Sequence, residues 1–270
     1  MLRSPSDELN FSIVLVNYKS LELTQTCLTL LHEKLQGAYV PVYVVDNDSN
    51  DASTEYLRTL SWITLIERAA EAGETGTVAH GRALDLALKH IETEYVFLLH
   101  TDTFIHDFHV FELMLAFCNG SSKVAAVGCL EQLDRGLPRT LWRLSSRFAK
   151  HYYRRTARAL GVMARPPKPY KETHLKSFCA VWNVRIMKQH GLHFQMDERC
   201  PGYALQDRMI ELGYCVKFLS PRTVFRYLDH VQSGTVSAQG GYGTQHRRAD
   251  IYRQQMETYK STRPIATPRP

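Results

Sequence analysis

No run of about 20 apolar residues occurs in the sequence, so no membrane-crossing helix is expected from it. The first ten residues are polar and include Pro5, unlike a secretory leader. Cysteine is sparse: the six residues at 27, 118, 129, 179, 200 and 215 form no CxxC pair. That pattern excludes a zinc ribbon and offers no disulfide framework, so a reducing compartment, the cytoplasm, is expected. No glycine-rich basic loop follows the first apolar run, where Asn17-Tyr18-Lys19-Ser20 stands instead. A nucleotidyltransferase or pyrophosphorylase would need such a loop to cradle phosphate. Internal repeats and low-complexity tracts are also missing. Carboxylates nearly vanish between Asp134 and Lys176, where 12 Lys/Arg face 2 Asp/Glu. The formal net charge is only +6, so the remainder of the 270 residues is net negative. A broad nucleic-acid surface is therefore not expected.

Alternation of strand-like and helix-like segments fills the first ~130 residues. Phe11–Asn17 (FSIVLVN) is an apolar run of buried-strand type, and Leu21–Leu35 has helical spacing ended by Gly37. Strands are predicted at Val40–Val45, Trp62–Ile66, Tyr95–Leu99 and Val124–Val127, with helices at Ser53–Leu60, Val78–Ile91 and Asp107–Phe117. This order predicts βαβ units and a mostly parallel sheet with helices on both faces. A long basic helix is predicted at Leu137–Gly161, then a stiff Arg165–Pro169 loop, a strand at Lys176–Trp182, a helix at Gly202–Leu212 and a strand at Tyr214–Leu219. A further strand near Arg226–Leu228 runs into Asp229-His230. Past Gly234 the chain is polar and rich in Gly and Gln, and a loosely packed tail is expected.

Ligands of open α/β sheets bind outside the carboxyl ends of the strands. Four predicted strands end in polar groups: Asn17-Tyr18, Asp46-Asn47-Asp48, His100-Thr101-Asp102 and Asp229-His230. Carboxylates and amides of this kind suit a base and a ribose, and Asp and His suit a metal. They also simply end strands well.

Ser12–Tyr18 (SIVLVNY) followed by Val44–Ser53 (VVDNDSNDAS) resembles the opening of family 2 glycosyltransferases. His80–Leu84, Tyr95–Thr103 (YVFLLHTDT), Glu211–Ser220 and His230–Thr235 resemble later blocks of that family, in its order, across residues 11–235. The resemblance is to the rhamnosyltransferase-like bacterial type. It implies a GT-A (nucleotide-diphospho-sugar transferase) fold at 11–235, with tails at 1–10 and 236–270. Within it the resemblance implies a nucleotide-sugar-binding half at 11–130, a basic helical insertion at 134–176 and an acceptor half at 177–235. It further implies a nucleoside-diphosphate-sugar donor, a glycan or lipid-linked acceptor and a divalent cation, Mn²⁺ or Mg²⁺. Asn17, Tyr18, Asp46, Asp48, His80, Arg82, His100 and Thr101 are the implied nucleotide-sugar-binding residues, with Arg82 a phosphate clamp. The family's DxD-like metal motif reads His100-Thr101-Asp102 here, so Asp102 and His230 are the implied metal ligands. His100 is either a third ligand, favouring Mn²⁺ over Mg²⁺, or a hydrogen-bonding group beside the diphosphate. Inverting members take their base from a Glu-Asp pair opening the late helix, and this chain has none there. Asp207 is the first choice for the base, with Asp197 and Glu198 as alternatives. The missing pair also admits a degenerate protein that binds without turnover.

On a helix advancing 100° per residue, Arg139, Arg143, Arg147, Lys150, Arg154 and Arg158 share an arc of about 100°. Leu141, Leu144, Phe148, Tyr152 and Ala159 lie opposite. Two readings stay open. The apolar side packs on the core with charges in water, or helix 138–161 meets an anionic surface, making the protein peripheral on the inner face of the membrane. Phe178, Trp182 and Tyr203 either fill the core or stack on a sugar ring.

Overall fold

The computed structural model describes residues 10–133 and 136–231, together with Gln254, Met256 and Glu257. In chain order the first elements are β1 (Phe11–Asn17), α1 (Leu21–Leu35), β2 (Val42–Asn47), α2 (Ala52–Arg58), β3 (Thr64–Arg68), α3 (Gly76–Leu88) and β4 (Tyr95–His100). Next come β5 (Thr103–Ile105), α4 (His109–Asn119), β6 (Val124–Cys129), α5 (Gly136–Ala159), β7 (Cys179–Asn183) and α6 (Val184–Gln189). The described elements end with α7 (Tyr203–Glu211), β8 (Cys215–Leu219), α8 (Pro221–Val224) and β9 (Leu228–His230). A seven-stranded sheet runs in the order β3-β2-β1-β4-β7-β6-β8, with β7 antiparallel to both neighbours and the other pairings parallel. A separate two-stranded antiparallel ribbon joins β5 to β9.

Side chains alternate across the sheet, as a period of two demands. Phe11, Ile13 and Leu15 enter one core with α1 and α4, while Val14 enters the other with α3 and α7. Phe97 anchors the first core between Phe11 (5.0 Å, edge-on) and Phe111 (4.9 Å, edge-on). Phe178 and Trp182 are buried in the cores, so neither reaches a sugar. Tyr203 stacks instead on His174, with centroids 4.3 Å apart. Strand β2 starts two residues later than expected because Pro41 has no N–H for the ladder; its carbonyl still accepts from Ile13 N. Strand β3 is also displaced, since Trp62 is drawn out to pack on His32 at 4.4 Å. Met256 is buried in the first core, contrary to the loose packing expected after Gly234. Gln232–Thr235 of the expected closing segment lie outside the described residues.

Helix α5 departs from the reading in which its apolar side packs on the core. Its apolar side does not pack on the core: Ala157 is its only buried residue, and Leu137, Leu141, Trp142, Phe148, Tyr152 and Tyr153 are exposed. The basic side leans inward, with Arg143 paired to Glu131 and Arg147 Nη1 bonded to Glu172 at 2.8 Å.

Candidate active site

Parallel pairing sets Asn17 at the end of β1 beside Asp46 near the end of β2. Both are buried. Asn17 Nδ2 donates to Asp46 Oδ1 (2.7 Å), Ser53 Oγ (2.8 Å) and Ser49 Oγ (3.1 Å), and its Oδ1 accepts from Thr24 (2.7 Å) and Ser20 (3.3 Å). The amide is thus bonded inside the protein. Asn17, expected to touch the nucleotide, also orients Asp46. Asp46 Oδ2 accepts from Thr54 Oγ1 at 2.8 Å. The dense Asp/Asn turn that follows needs two left-handed residues, Asp48 (φ 62°) and Asn50 (φ 49°), types that tolerate this conformation. Asp51 then caps α2 with a reciprocal bond to Thr54. Tyr18 stays exposed and Asp48 half-buried at the rim. A contact from Ser20 Oγ to Thr101 Oγ1 (3.5 Å) continues this polar row to the end of β4.

There His100, Asp102 and His230 converge, each offering a ligand atom within 4.8 Å of the others. The β5–β9 ribbon brings His230 to this place, pairing it with Thr103, and Val231 N bonds Asp102 O at 2.8 Å. His230 Nδ1 donates to the Gln132 carbonyl (3.0 Å), and its Nε2 lies 3.3 Å from Asp102 Oδ1. His100 Nε2 is hydrogen-bonded to Ser177 Oγ (2.8 Å), and its Nδ1 lies 3.7 Å from Asp102 Oδ1. Two donors bound to one ion at about 2.1 Å, at roughly 90–110°, stand about 3–3.4 Å apart, so the His230–Asp102 spacing fits a shared cation and His100 Nδ1 stands slightly wide of it. Burial pushes the His100 imidazole down to about 4, reinforced by His230 and opposed by Asp102, so the ring is neutral at physiological pH. A neutral imidazole is the form that ligates metal. Two nitrogens and a carboxylate suit a borderline ion such as Mn²⁺ better than Mg²⁺. Groups that orient a ligating imidazole typically contribute 10- to 100-fold in metal affinity. Ser177→Ala is therefore expected to weaken Mn²⁺ binding by about tenfold with little change in fold, a loss readable by calorimetric titration.

His80, on α3, packs edge-on against His100 at 5.7 Å, and burial, then His100, holds it down to about 3. Arg82, expected as a phosphate clamp, is held by two carboxylates. Its Nη1 bonds Glu74 at 2.5 Å and also pairs with Glu71. Glu74 in turn binds Arg68 (2.5 Å), whose other nitrogen reaches Asn47 Oδ1 (2.8 Å), so Arg82 braces the end of β2 through carboxylates. Asp207, on α7, accepts from His174 Nε2 (2.9 Å) and Arg199 Nη1 (2.8 Å). Burial opposes its ionisation, but Arg199 and His174 together hold the carboxyl below the ordinary aspartate range. Asp197 is likewise paired with Arg199, at 2.5 Å.

Ser177, Gln132 and His174 were not among the residues singled out from the sequence. Their roles depend on β7 running antiparallel between β4 and β6, for which a single sequence carries no local signal.

Residues 12–189 match the family described as Glycosyl transferase family 2. No curated protein matches the chain. Among solved structures, the mannosyltransferase PcManGT from Pyrobaculum calidifontis, in complex with GDP-Man and Mn²⁺, aligns at a TM-score of 0.55 and 16% identity. That alignment covers 78% of this chain and 54% of the mannosyltransferase, so the chain spans about half of that protein's length. Glucosyl-3-phosphoglycerate synthase from Mycobacterium tuberculosis, in complex with Mn²⁺, UDP and phosphoglyceric acid, aligns at a TM-score of 0.51 and 13% identity, over 78% of this chain and 70% of that one. These likenesses are of fold.

Proposed function

From the premise that the chain belongs to glycosyl transferase family 2 and is a glycosyl-transfer enzyme of GT-A fold, we propose a metal-assisted, inverting reaction. A hexosyl or deoxyhexosyl group passes from a nucleoside diphosphate to a hydroxyl of a glycan or lipid-linked acceptor, in polysaccharide assembly. The observation that carries the reading is the pair of histidines aimed at Asp102, each with its far nitrogen already held. Asp102, His230 and His100 would hold the cation, with Mn²⁺ favoured. When bound, the cation stabilises the charge that develops on the departing diphosphate. The Mn²⁺ in the complexes of the two aligned transferases supports this choice.

The chain's own groups do the rest. Asp46, fixed by Asn17 and Thr54, is placed to meet the base or ribose. Asp48, Tyr18 and Thr101 complete the rim of that pocket, and His80 backs the ring of His100. The acceptor hydroxyl gives its proton to the Asp207–His174 pair as its oxygen bonds the anomeric carbon and the sugar–phosphate bond breaks. Asp207 stays ionised at neutral pH, held below the ordinary aspartate range by Arg199 and His174. Asp207→Asn should lower kcat by about 10²–10⁴-fold while nucleotide affinity is retained. Unchanged turnover would assign the proton to another group.

The enzyme works in the cytoplasm against the inner face of the membrane. The six free cysteines suit a reducing compartment, and α5 offers a contact surface. A thermal-shift screen of nucleotide sugars, with and without Mn²⁺, tests the donor reading. One donor should raise the melting temperature in a metal-dependent way. A flat response to every nucleotide would count against it.

A further inference from the structure

Helix α5 is turned inside out relative to an ordinary surface helix. Counting 100° per residue, Leu137, Leu141, Phe148, Tyr152, Trp142 and Tyr153 occupy an arc of about 160°. That arc faces solvent, with Leu141 62%, Tyr153 70% and Trp142 77% exposed. The opposite arc, Arg143, Arg147, Arg154 and Ala157, leans on the body of the protein and is tied down there by Glu131 and Glu172. The apolar surface continues past the helix through Leu160, Val162 and Met163. Among the described residues its middle is partly covered, where Tyr170 meets Phe148 at 5.2 Å. Isolated exposed apolar groups are ordinary, but a continuous face of this length is not. At 1.5 Å per residue, 24 residues extend about 36 Å.

Charge selects the occupant. From Gly136 to Lys171 there are ten Lys/Arg and no carboxylate. A second copy of the chain laid face to face would bring cations against cations, and like charges across an interface are costly. An anionic lipid surface meets both properties at once. Trp, Tyr and Leu sit at the headgroup–acyl boundary, and exposed Arg155, on the edge of that arc, with Arg158 beside it, reaches phosphates. We propose that the outward apolar face of α5 beds into an anionic phospholipid leaflet, with the helix lying in the plane of the interface and the inward arginines holding the catalytic domain on top of it. This rests on the membrane reading given above and adds the face that makes contact; it does not depend on which sugar is transferred.

Co-sedimentation of the whole chain with mixed phosphatidylcholine–phosphatidylglycerol vesicles tests it, with phosphatidylcholine alone as the comparison. The wild type should partition onto the mixed vesicles, and brominated lipid should quench a fluorescence component that Trp142→Phe removes. Leu141→Ser with Trp142→Ser should weaken partition at least about tenfold, with the thermal shift by Mn²⁺ and nucleoside diphosphate unchanged as proof of folding. No partition by the wild type would overturn both the membrane reading and this inference. Equal partition by the wild type and the double variant would overturn the inference alone, leaving contact through the arginines. A stable dimer in sedimentation velocity that the double variant dissolves would also overturn it, in favour of a second copy.

Discussion

Replacing Asp102 with alanine should lower turnover by at least about a hundredfold and remove metal-dependent nucleotide binding. Asp102 is almost wholly buried at the end of β4, and both histidines of the cluster point their free nitrogens at its Oδ1. Removing it leaves two imidazoles and no carboxylate, too little charge to hold a hard or borderline divalent cation beside a polyanionic donor. Asp102→Asn preserves the shape and removes only the charge, so it should fail nearly as completely. The two variants together separate charge from packing. Free Mn²⁺ followed by electron paramagnetic resonance reads the loss directly, without turnover. Wild-type Mn²⁺ affinity in Asp102→Ala would show that the cation binds elsewhere.

Asn17→Ala should destabilise the fold by roughly 2–4 kcal/mol, because one buried amide serves five partners. For a domain of this size that corresponds to a melting temperature lower by roughly 5–15 °C. Asp46 would lose the donor to its Oδ1 and with it a fixed orientation, so nucleotide affinity should fall as well. Asn17→Asp carries a further signature. It sets a second carboxylate where the amide now stands 2.7 Å from Asp46 Oδ1. Two carboxylates sharing one site push a pKa up. A group whose folded pKa is raised contributes its stability fully below the unfolded value and loses it as pH rises. The Asn17→Asp deficit should therefore be smallest in mild acid and grow as pH climbs through the carboxylate range. A deficit independent of pH would mean the new side chain has turned away from Asp46.

Much of the stretch 11–130 was legible because its physics is local. Strand β1 and helix α1 fall where the apolar run and the helical spacing put them, and the polar groups Asn17, Asp46, Asp102 and His230 end strands as the α/β rule requires. The boundaries of β2 and β3 slipped where single residues, Pro41 and Trp62, overrode the apolar pattern. Roles were harder to read than positions. Asn17 and Arg82 carry the polar chemistry expected of nucleotide contacts, and neighbours from α1, α2 and the segment before α3 also bond them, which no local pattern announces. The short ribbon of β5 and β9, three residues a side, has too few side chains for a period to show, although it places His230. Helix α5 was legible as amphipathic but not as to which side faces out, since ion pairing to Glu131 and Glu172 decides its roll.

Crystals grown with Mn²⁺ and a nucleoside diphosphate bring the cation reading to a single view. The ion should lie about 2.0–2.3 Å from Asp102 and His230, with His100 Nδ1 completing the set and the diphosphate oxygens on its open side. An ion coordinated away from Asp102, or a diphosphate seated without reaching the tips of β2 and β4, would contradict it.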